Sequence, residues 1–298
     1  MIKNGCIFLI SARKNLLKTC LTYLDKNYNN QFNYPILIFY HGTKYDDLTF
    51  RQSIMDINPN TKYSFHKIEA IIPKHLQEKD MFWNLPNNNY ARNFGKDRLG
   101  YLHANYFWNN FMNFKELEEY EYLIRIDDDS WFKNKIYFDM FEELDKSGKL
   151  CGCAFTWNNV NNRVLETRYN FFNWIKYYVN KYQVKVKNNN LKKYVLQGEN
   201  DIVDRIRCHN QFHSLKFLCG NCNIYNRKMF SSKEWKQYLQ EFNDLAGGYR
   251  YRWGDCEVFS LFYYLHLGNN FLDLDLRNKD LYHSQIDNNS YIIKDKDL

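Results

Sequence analysis

Neither a membrane-spanning run nor a secretory signal is visible in the sequence. A membrane helix needs roughly 20 consecutive apolar residues, and no stretch of the chain approaches that length. The apolar segment 6–10 is ended by Arg13 and Lys14, so it indicates a first strand and not the core of a signal peptide. We therefore predict a cytoplasmic protein without a membrane span, whose thiols are reduced.

Proline, internal repeats and paired cysteine motifs are also scarce or missing. Only 4 of the 298 residues are proline, and the sequence shows no repeat and no clear linker. Cys219 and Cys222 have zinc-like spacing, but no second cysteine pair stands at finger spacing, so we do not expect structural zinc. These absences favour a single domain over residues 1–298.

What the chain does contain is a large apolar fraction and a positive charge. Apolar residues make up 45% and aromatic residues 18%, which is typical of a folded globular protein. Abundant Asn, Lys, Ile and Tyr are typical of an AT-rich genome, so part of the aromatic content reflects composition. The net charge of +7 suits a phosphate-bearing small ligand or a nucleic acid. Because the positive residues are spread out, apart from a modest cluster at 181–193, nucleic acid is the less favoured partner.

The order of apolar segments in the first half predicts a parallel sheet. Strand-like segments at 6–11, 34–40 and 63–72 surround a helical segment at 16–24, which is the pattern of a right-handed βαβ unit. A long amphipathic helix is predicted at 94–112. The second half predicts helices at 136–144, 167–182, 195–207 and from 255 onward, strands at 151–157 and 271–276, and a polar break at 188–190.

The stretch 120–132 is the most informative part of the chain, because an apolar run ends there in three consecutive acids. Its β-branched and aromatic residues predict a buried strand, and ligands of open α/β sheets bind at the carboxyl ends of strands. Asp127 and Asp129 are two positions apart and can face one Mg²⁺ or Mn²⁺ ion. Such a metal would stabilise the diphosphate that leaves a nucleotide-sugar. The alternative is a solvated acidic turn, although the following Trp131 and Phe132 are unusual for one.

A second constellation lies at 247–255, where glycines, aromatic residues, arginine and aspartate are dense. Tyr249 and Trp253 can stack on a sugar ring, and Arg252 can pair with phosphate. Asp255 opens a predicted helix, so the competing interpretation is an ordinary N-cap. Near the end of the chain, His283 is a candidate metal ligand, although a lone histidine is usually not one.

Together these stretches resemble the fungal α-1,2-mannosyltransferases of glycosyltransferase family 15. The family's Tyr-Tyr-Trp-Arg-Val-Glu-Pro-Asp is similar to 122–129, and its Gly-Gly-Phe-Tyr-Glu-Arg-Trp-Gly-Asp is matched at 247–255. Its near-terminal Gly-Tyr-His is similar to 281–283, and its opening Leu-Ala/Val-Arg-Asn is echoed at 11–14. The resemblance runs in order along almost the whole chain.

The resemblance implies a GT-A fold, in which helices flank a Rossmann-like mixed sheet, and a retaining, manganese-dependent glycosyltransferase. The donor would be GDP-mannose and the acceptor a glycan or glycoprotein hydroxyl. Asp127 takes the place of the family's metal-site glutamate, and His283 takes that of its metal-binding histidine, with Asp129 beside them. Asp255 takes the place of the family's acceptor-side aspartate. The nucleotide-sugar half would span about 1–132 and the acceptor half about 133–298.

Five side chains are predicted to contact the donor. Arg13 follows the first strand, Arg125 lies in the acidic strand, and both are candidates for nucleotide or phosphate contact together with Arg252. Tyr249 and Trp253 would shape the sugar site. A surface location is an equally good interpretation of Arg13 from the sequence alone.

Two departures from the family pattern affect the prediction. Asn223 stands where the family has a glutamate that has been considered a nucleophile, and an amide cannot form a glycosyl ester. Same-face attack by the acceptor, assisted by the leaving phosphate and Asp255, is therefore the favoured mechanism. The family's N-terminal membrane anchor is also not seen, which puts a Golgi location and a mannan acceptor in doubt; a viral or otherwise unusual cytosolic glycosylation system would fit, although the sequence does not show one.

Two alternatives to an active transferase stay open. The first is a non-catalytic carbohydrate- or nucleotide-binding descendant, which would bind donor without turnover. The second is a nucleic-acid-binding protein that uses the lysine-rich segment 181–193 and whose binding depends steeply on salt. The acid triplet argues against it, because carboxylates repel phosphate when no metal is present.

Overall fold

The computed structural model describes residues 4–69, 72–84, 99–157, 165–196, 217–218, 220–268, 270–276 and 281–283. Within these ranges the strands are β1 Gly5–Ser11, β2 Ile36–Tyr40, β3 Tyr63–Lys67, β4 Tyr122–Ile126, β5 Ser130–Phe132, β6 Cys151–Cys153, β7 Thr156–Trp157, β8 Phe217–Leu218, β9 Cys222–Asn226, β10 Leu272–Asp273 and β11 Leu281–His283.

The α-helices of the same ranges are α1 Lys14–Leu24, α2 Asn30–Phe32, α3 Leu48–Met55, α4 Leu99–Asn110, α5 Met140–Lys146, α6 Leu165–Tyr182, α7 Asn189–Leu196, α8 Lys228–Ser231, α9 Lys233–Asp244, α10 Gly247–Tyr251 and α11 Asp255–Phe262. Single turns of π-helix extend α1 over Asp25–Asn29 and α11 over Tyr263–Leu267. Short 3₁₀ turns lie at Glu78–Asp80, Phe82–Asn84, Phe111–Asn113 and Lys115–Leu117. No described helix is both long enough and apolar enough to cross a membrane.

A mixed sheet of seven strands, in the order β10-β6-β9-β4-β1-β2-β3, forms the centre of the described structure. Strands β1, β2, β3 and β4 run parallel, whereas β9 runs antiparallel to both β4 and β6. Because β9 reverses the direction, β4 and β6 point the same way and end at the same edge. Both predicted halves contribute strands to this sheet, and the division into two functional halves stays a prediction.

Side chains of the central strands alternate between two apolar layers, as the period of two along a strand requires. In β1, Cys6 and Phe8 pack into one layer, while Ile7 and Leu9 pack into the other. Helices α4, α6, α9 and α11 cover the first layer, and α1 and α5 cover the second. The central strands are buried on both faces because helices cover both sides.

The structure differs from the sequence-based prediction mainly in the second half. The segment 188–190 is not a polar break, because Asn188 accepts a hydrogen bond from the backbone N–H of Leu191 at 2.9 Å and starts α7. The predicted strand 151–157 is two short strands in different sheets. Most of the helix predicted at 195–207, and the first residues of the one at 94–112, lie outside the described residues.

Candidate active site

The three consecutive acids Asp127, Asp128 and Asp129 form a tight turn at the carboxyl end of β4, which we call the acid turn. The backbone N–H of Asp127 donates to the carbonyl of Asn221 at 3.0 Å, and the backbone N–H of Ser130 donates to the carbonyl of Asp127 at 3.0 Å. The Asn221 amide also donates to the hydroxyl of Ser130 at 3.2 Å. These bonds fix the turn against the segment that enters β9, so the three carboxylates are carried by a well-supported backbone.

Arg125, in β4, binds two of the acids that the sequence singled out. Its guanidinium donates to Oδ1 of Asp127 at 3.1 Å and forms a second ion pair with Oδ2 of Asp255. The guanidinium lies 3.8 Å from the centre of the Trp108 ring, and Arg125 is only 2% exposed. Burial alone lowers the pKa of Arg125, but the charges of Asp255 and Asp127 outweigh it and raise that pKa. The side chain therefore stays charged and joins the two acids.

The carboxyl of Asp127 has a raised pKa, which Arg125 offsets only in part. Burial raises the pKa of its carboxyl to about 7, Arg125 opposes that rise, and the charges of Asp129 and Asp255 add to it. A cation placed beside Asp127 and Asp129 would favour the charged form of these carboxylates. Since 24% of the Asp127 side chain is exposed, a ligand can reach it.

Asp128 is a buried anchor of the turn and was not predicted to have a role. Its Oδ2 accepts a hydrogen bond from the hydroxyl of Ser11 at 2.6 Å, and that hydroxyl also bonds to the hydroxyl of Tyr45 at 2.6 Å. Arg13 forms an ion pair with the same carboxylate. Burial raises the pKa of Asp128, and these partners oppose the rise. The anchor ties the end of β1 to the acid turn.

Arg13 lies beside the acids, as its position after β1 predicted. It pairs with Asp128, and its Nη1 lies 3.2 Å from Oδ2 of Asp129. Its side chain is 46% exposed, so it can reach a phosphate group without leaving the turn. The role in phosphate contact stays a prediction.

The predicted metal ligands are only partly described. Asp127 and Asp129 lie on the same turn, and β11 pairs with β5 so that the backbone of His283 stands opposite Ser130. The side chain of His283 lies outside the described part of the structure. Among the side chains that are described, no group of three His, Cys, Asp or Glu residues has the geometry of a metal site. Two carboxylates are present for a hard cation, and the third ligand stays a prediction.

Asp255 is not the N-cap of α11, so that interpretation is wrong. Gly254 occupies the capping position, and Asp255 is the first helical residue. Its carboxylate turns to Arg125 and is 7% exposed as a residue. A side chain at Gly220 would place its Cβ 2.8 Å from Oδ2 of Asp255 and 2.7 Å from Sγ of Cys256. Glycine at 220 therefore allows the backbone to approach this ion pair closely.

Asn223 lies next to Arg125 in the sheet. The two residues are direct partners across the antiparallel pair of β9 and β4, so their side chains point to the same face. Asn223 is 3% exposed, and its Oδ1 has no hydrogen-bond partner among the described residues. The structure thus places an uncharged, buried amide beside the arginine that pairs with both acids.

Tyr249 and Trp253 are core side chains here, contrary to the predicted stacking on a sugar. Tyr249 is 1% exposed and its hydroxyl bonds to Nδ1 of His103 at 2.9 Å. Trp253 is 3% exposed and packs 5.6 Å from the ring of Trp174. A Cβ at Gly247 would lie 2.1 Å from the Trp253 ring. The glycine and aromatic residues of this motif therefore pack against each other and support Asp255.

Arg252 faces α4 and not the acid turn. Its guanidinium lies 4.9 Å from the centre of the Tyr101 ring and donates to the Tyr101 hydroxyl at 3.4 Å. Its backbone adopts the left-handed conformation with φ of 56°, which is uncommon for a residue with a side chain. This conformation ends α10 and sets the direction of the chain into Gly254 and Asp255. Its predicted contact with phosphate stays a prediction.

Sequence reasoning did not identify Trp108 or Tyr45 as parts of the site. Trp108 comes from α4 and contacts Arg125, and Tyr45 comes from the loop after β2 and bonds to Ser11, so both join the site only through the fold. No local pattern in the sequence marks either residue.

A family model described as glycolipid 2-alpha-mannosyltransferase matches residues 2–275 of the chain. A probable mannosyltransferase of Saccharomyces cerevisiae, KTR3, is 24% identical over 262 residues, which are 83% of this chain and 58% of that protein. The O-glycoside alpha-1,2-mannosyltransferase homolog 5 of Schizosaccharomyces pombe is 21% identical over 93% of this chain and 70% of its own length. The chain thus spans little more than half of the first of these relatives.

Solved structures confirm the predicted fold. Core-mannan synthase A (CmsA/Ktr4) of Aspergillus fumigatus, in its Mn/GDP form, superposes with a TM-score of 0.72 over 91% of this chain and 72% of that chain, at 16% identity. The mannosyltransferase Ktr4p of S. cerevisiae in complex with GDP gives a TM-score of 0.71 over 88% of this chain and 66% of that chain, at 19% identity.

Proposed function

The chain belongs to the glycolipid 2-alpha-mannosyltransferase family, and from this premise and the geometry of the site we propose that it is a retaining glycosyltransferase. It transfers a hexose, and specifically mannose from GDP-mannose, to a hydroxyl group of a glycan or glycoprotein. The mannose donor is supported by the names of the relatives, and the GDP nucleotide by the two structural neighbours that contain GDP.

One observation carries this proposal. Arg125 joins Asp127, at the predicted metal site, to Asp255, at the predicted acceptor site, although 130 positions separate Arg125 from Asp255 in the chain. A purely structural acidic turn does not need an internal arginine that binds a second acid from a distant helix. The arrangement fixes both carboxylates about one guanidinium, as the positioning of donor and acceptor groups requires.

The donor set of the acid turn fits Mn²⁺ or Mg²⁺. Asp127 and Asp129 offer hard carboxylate oxygens, and the pKa of Asp127, raised mainly by burial and further by the charges of Asp129 and Asp255, is one that a bound cation would lower. His283, whose backbone pairs beside this turn, is the proposed third ligand. The metal, when bound, neutralises the diphosphate as it leaves. Arg13 is placed to add a second positive charge to the same phosphates.

We infer that substitution occurs on the face that the diphosphate leaves. The acceptor oxygen forms a bond to the anomeric carbon while the bond from that carbon to the diphosphate oxygen breaks, and the electron pair goes to the diphosphate. The proton of the acceptor hydroxyl passes to the leaving phosphate. Asp255 orients that hydroxyl, and Arg125 orients Asp255. Asn223 is an amide and supplies no nucleophile.

The proposal is tested by transfer of mannose from GDP-mannose to methyl α-mannoside, with Mn²⁺ or with a chelator. We expect transfer that needs the metal and gives an α-linked product, and a loss of at least 100-fold in Asp127→Asn. Asp56→Asn, which changes an exposed acid, is the matched control and should keep full activity. Full activity of Asp127→Asn would contradict the metal assignment.

The transfer assay combined with a binding measurement distinguishes the non-catalytic alternative. Binding of GDP-mannose and Mn²⁺, measured by calorimetry, without transfer to any sugar acceptor and without hydrolysis, would identify a binding descendant. A panel of other nucleotide-sugars in the same experiment names the base and the sugar.

A further inference from the structure

A cavity of about 570 Å³ opens at the edge of the sheet opposite the acid turn. We call it the basic pocket and define it by Leu150, Lys185, Lys187, Lys228, Lys233 and His266. Leu150 immediately precedes β6, and Lys228 follows the end of β9. Because β4 and β6 point the same way, this edge lies beyond the start of β4. The 5 residues of β4, at about 3.3 Å each, separate it from Asp127 by roughly 16 Å.

The basic pocket concentrates positive charge. Its four lysine side chains are exposed, and Glu234 is the one acid among the described lining residues. Lys228 lies 3.4 Å from Glu121, whereas Lys185, Lys187 and Lys233 make no ion pair with any other described residue. Two of these lysines belong to the segment 181–193, which the sequence marked as basic and which the proposed transferase site does not use.

His266 provides an unused polar atom in the floor of the basic pocket. Its ring lies between Phe262, at 4.9 Å, and Tyr178, at 6.3 Å. Its Nε2 is buried and has no hydrogen-bond partner in the described part of the chain. Burial lowers its pKa to about 4, so the imidazole is neutral at pH 7 and offers a hydrogen bond without adding charge.

Helix α9 begins at the rim of the basic pocket. Ser232 caps the helix by accepting a hydrogen bond from the backbone N–H of Trp235 at 3.1 Å, and Ser232, Lys233 and Glu234 line the cavity. The 12 residues of α9 direct the positive end of their dipole to this rim. An anion is therefore favoured by the lysines and by the helix together.

We propose that the basic pocket binds a small organic phosphate monoester, such as a sugar phosphate or a nucleoside monophosphate. The phosphate meets Lys187, Lys233 and the start of α9, and the body of the ligand lies against the apolar wall, where Nε2 of His266 bonds to a hydroxyl or ring atom. A cavity of about 570 Å³ is in the range of small-molecule sites. The site is separate from the acid turn, so the inference does not depend on the proposed transferase activity.

The test is calorimetric titration of the full chain with mannose 6-phosphate, AMP, glycerol 3-phosphate and inorganic phosphate, at fixed ionic strength. We expect binding of at least one phosphomonoester and a rise in Kd of at least tenfold in the double variant Lys187→Gln/Lys233→Gln. Lys236→Gln, on the same helix but outside the basic pocket, is the matched control and should leave Kd unchanged. His266→Phe should weaken the sugar phosphate or AMP more than inorganic phosphate.

The variants separate this site from the donor site. Binding that is kept in Asp127→Asn and lost in the double lysine variant supports the basic pocket. Binding that is lost in Asp127→Asn and kept in the double lysine variant assigns the phosphate to the acid turn and overturns the inference. Absence of binding of every probe at 5 mM, roughly the scale of the weakest specific ligands, also overturns it. Preference for glycerol 3-phosphate indicates a lipid headgroup as the source, and preference for mannose 6-phosphate or AMP indicates a soluble metabolite.

Discussion

Replacing Arg125 by methionine should destabilise the protein and remove transfer activity together. Methionine keeps an unbranched side chain of comparable length and can still lie on the Trp108 ring, but it has no positive charge. The partly buried Asp127 and the buried Asp255 would then lack the guanidinium that joins them. The pairing of both acids with one side chain makes this the most informative substitution in the site.

The size of the effect follows from the geometry. At an effective dielectric constant of about 20, unit charges 3.1 Å apart attract each other by about 5 kcal/mol. Desolvation offsets much of this attraction in the intact pair, whereas breaking a buried pair leaves an uncompensated charge and costs about 3–5 kcal/mol. Domains have about 5–15 kcal/mol of unfolding free energy, so the variant should be folded but much less stable.

The assay is urea unfolding at pH 8 and at pH 5, with a chelator present. Without Arg125, the folded-state pKa of Asp127, which is already about 7 in the wild type, rises further above its unfolded value near 3.9. The penalty of removing Arg125 is therefore complete above the raised pKa of Asp127 and decreases as the pH falls, so the loss of stability should be smaller at pH 5. Lys146→Met, which breaks exposed pairs of a lysine that is 65% exposed, is the control and should change stability by less than about 1 kcal/mol.

A small effect would refute the reasoning. If Arg125→Met lost less than about 1 kcal/mol at pH 8, the two ion pairs would not be formed in solution. If it kept transfer activity, Asp255 would not need Arg125 for its orientation. Arg125→Lys separates charge from shape, because it restores the charge without the planar fork. It should recover more stability than activity.

Two further substitutions test the packing around the site and the basic pocket. Gly247→Ala would place a methyl group 2.1 Å from the Trp253 ring and should cost about 1–3 kcal/mol in chemical denaturation, whereas Gly100→Ala, which has nothing within 4 Å, should be neutral or slightly stabilising. His266 has a pKa lowered by burial to about 4, so the folded state binds fewer protons than the unfolded state between about pH 4 and pH 6.5. The His266 contribution to wild-type stability should therefore fall by up to ~3 kcal/mol as the pH drops through that window, while Asp127, whose pKa is raised to about 7, contributes with the opposite sign. The difference between the wild type and His266→Phe isolates the first contribution; His266→Phe should remove it, and the same change at the exposed His75 should not.

The sequence was sufficient for the fold and for the acid turn because both depend on local patterns. The nearly continuous apolar runs of β1 and β4 indicate burial on both faces of the sheet, and the position of Asp127 after an apolar run indicates the carboxyl end of a strand. The predicted fold is confirmed by the superposition with two mannosyltransferase structures. Boundaries were less accurate, as in 188–190, where asparagines that read as a break are the cap and first turn of α7.

Roles of side chains could not be predicted where they depend on contacts between distant parts of the chain. Tyr249 and Trp253 have the chemistry of sugar-stacking residues, and only the packing of α10 against α4 and α6 shows that both are buried. Arg125 has the chemistry of a phosphate ligand, and only the approach of α11 shows that Asp255 occupies its guanidinium. A residue type indicates what a side chain can bind, but its partner is decided by the fold.

Asp128 shows how a departure from the family pattern is accommodated. It stands where the resembling motif has proline, so the turn carries one more carboxylate, and that carboxylate is 3% exposed. A buried charge of this kind is tolerated when it is paired and hydrogen-bonded. Ser11 and Arg13, both at the end of β1, supply those partners. The additional acid therefore holds Arg13 beside the acid turn, where the leaving phosphate is proposed to lie. Asp128→Asn should weaken donor binding, because it frees Arg13 while leaving Asp127 in place. Calorimetry measures the affinity of the variant for GDP with Mn²⁺, and an unchanged affinity would show that Arg13 is held without Asp128.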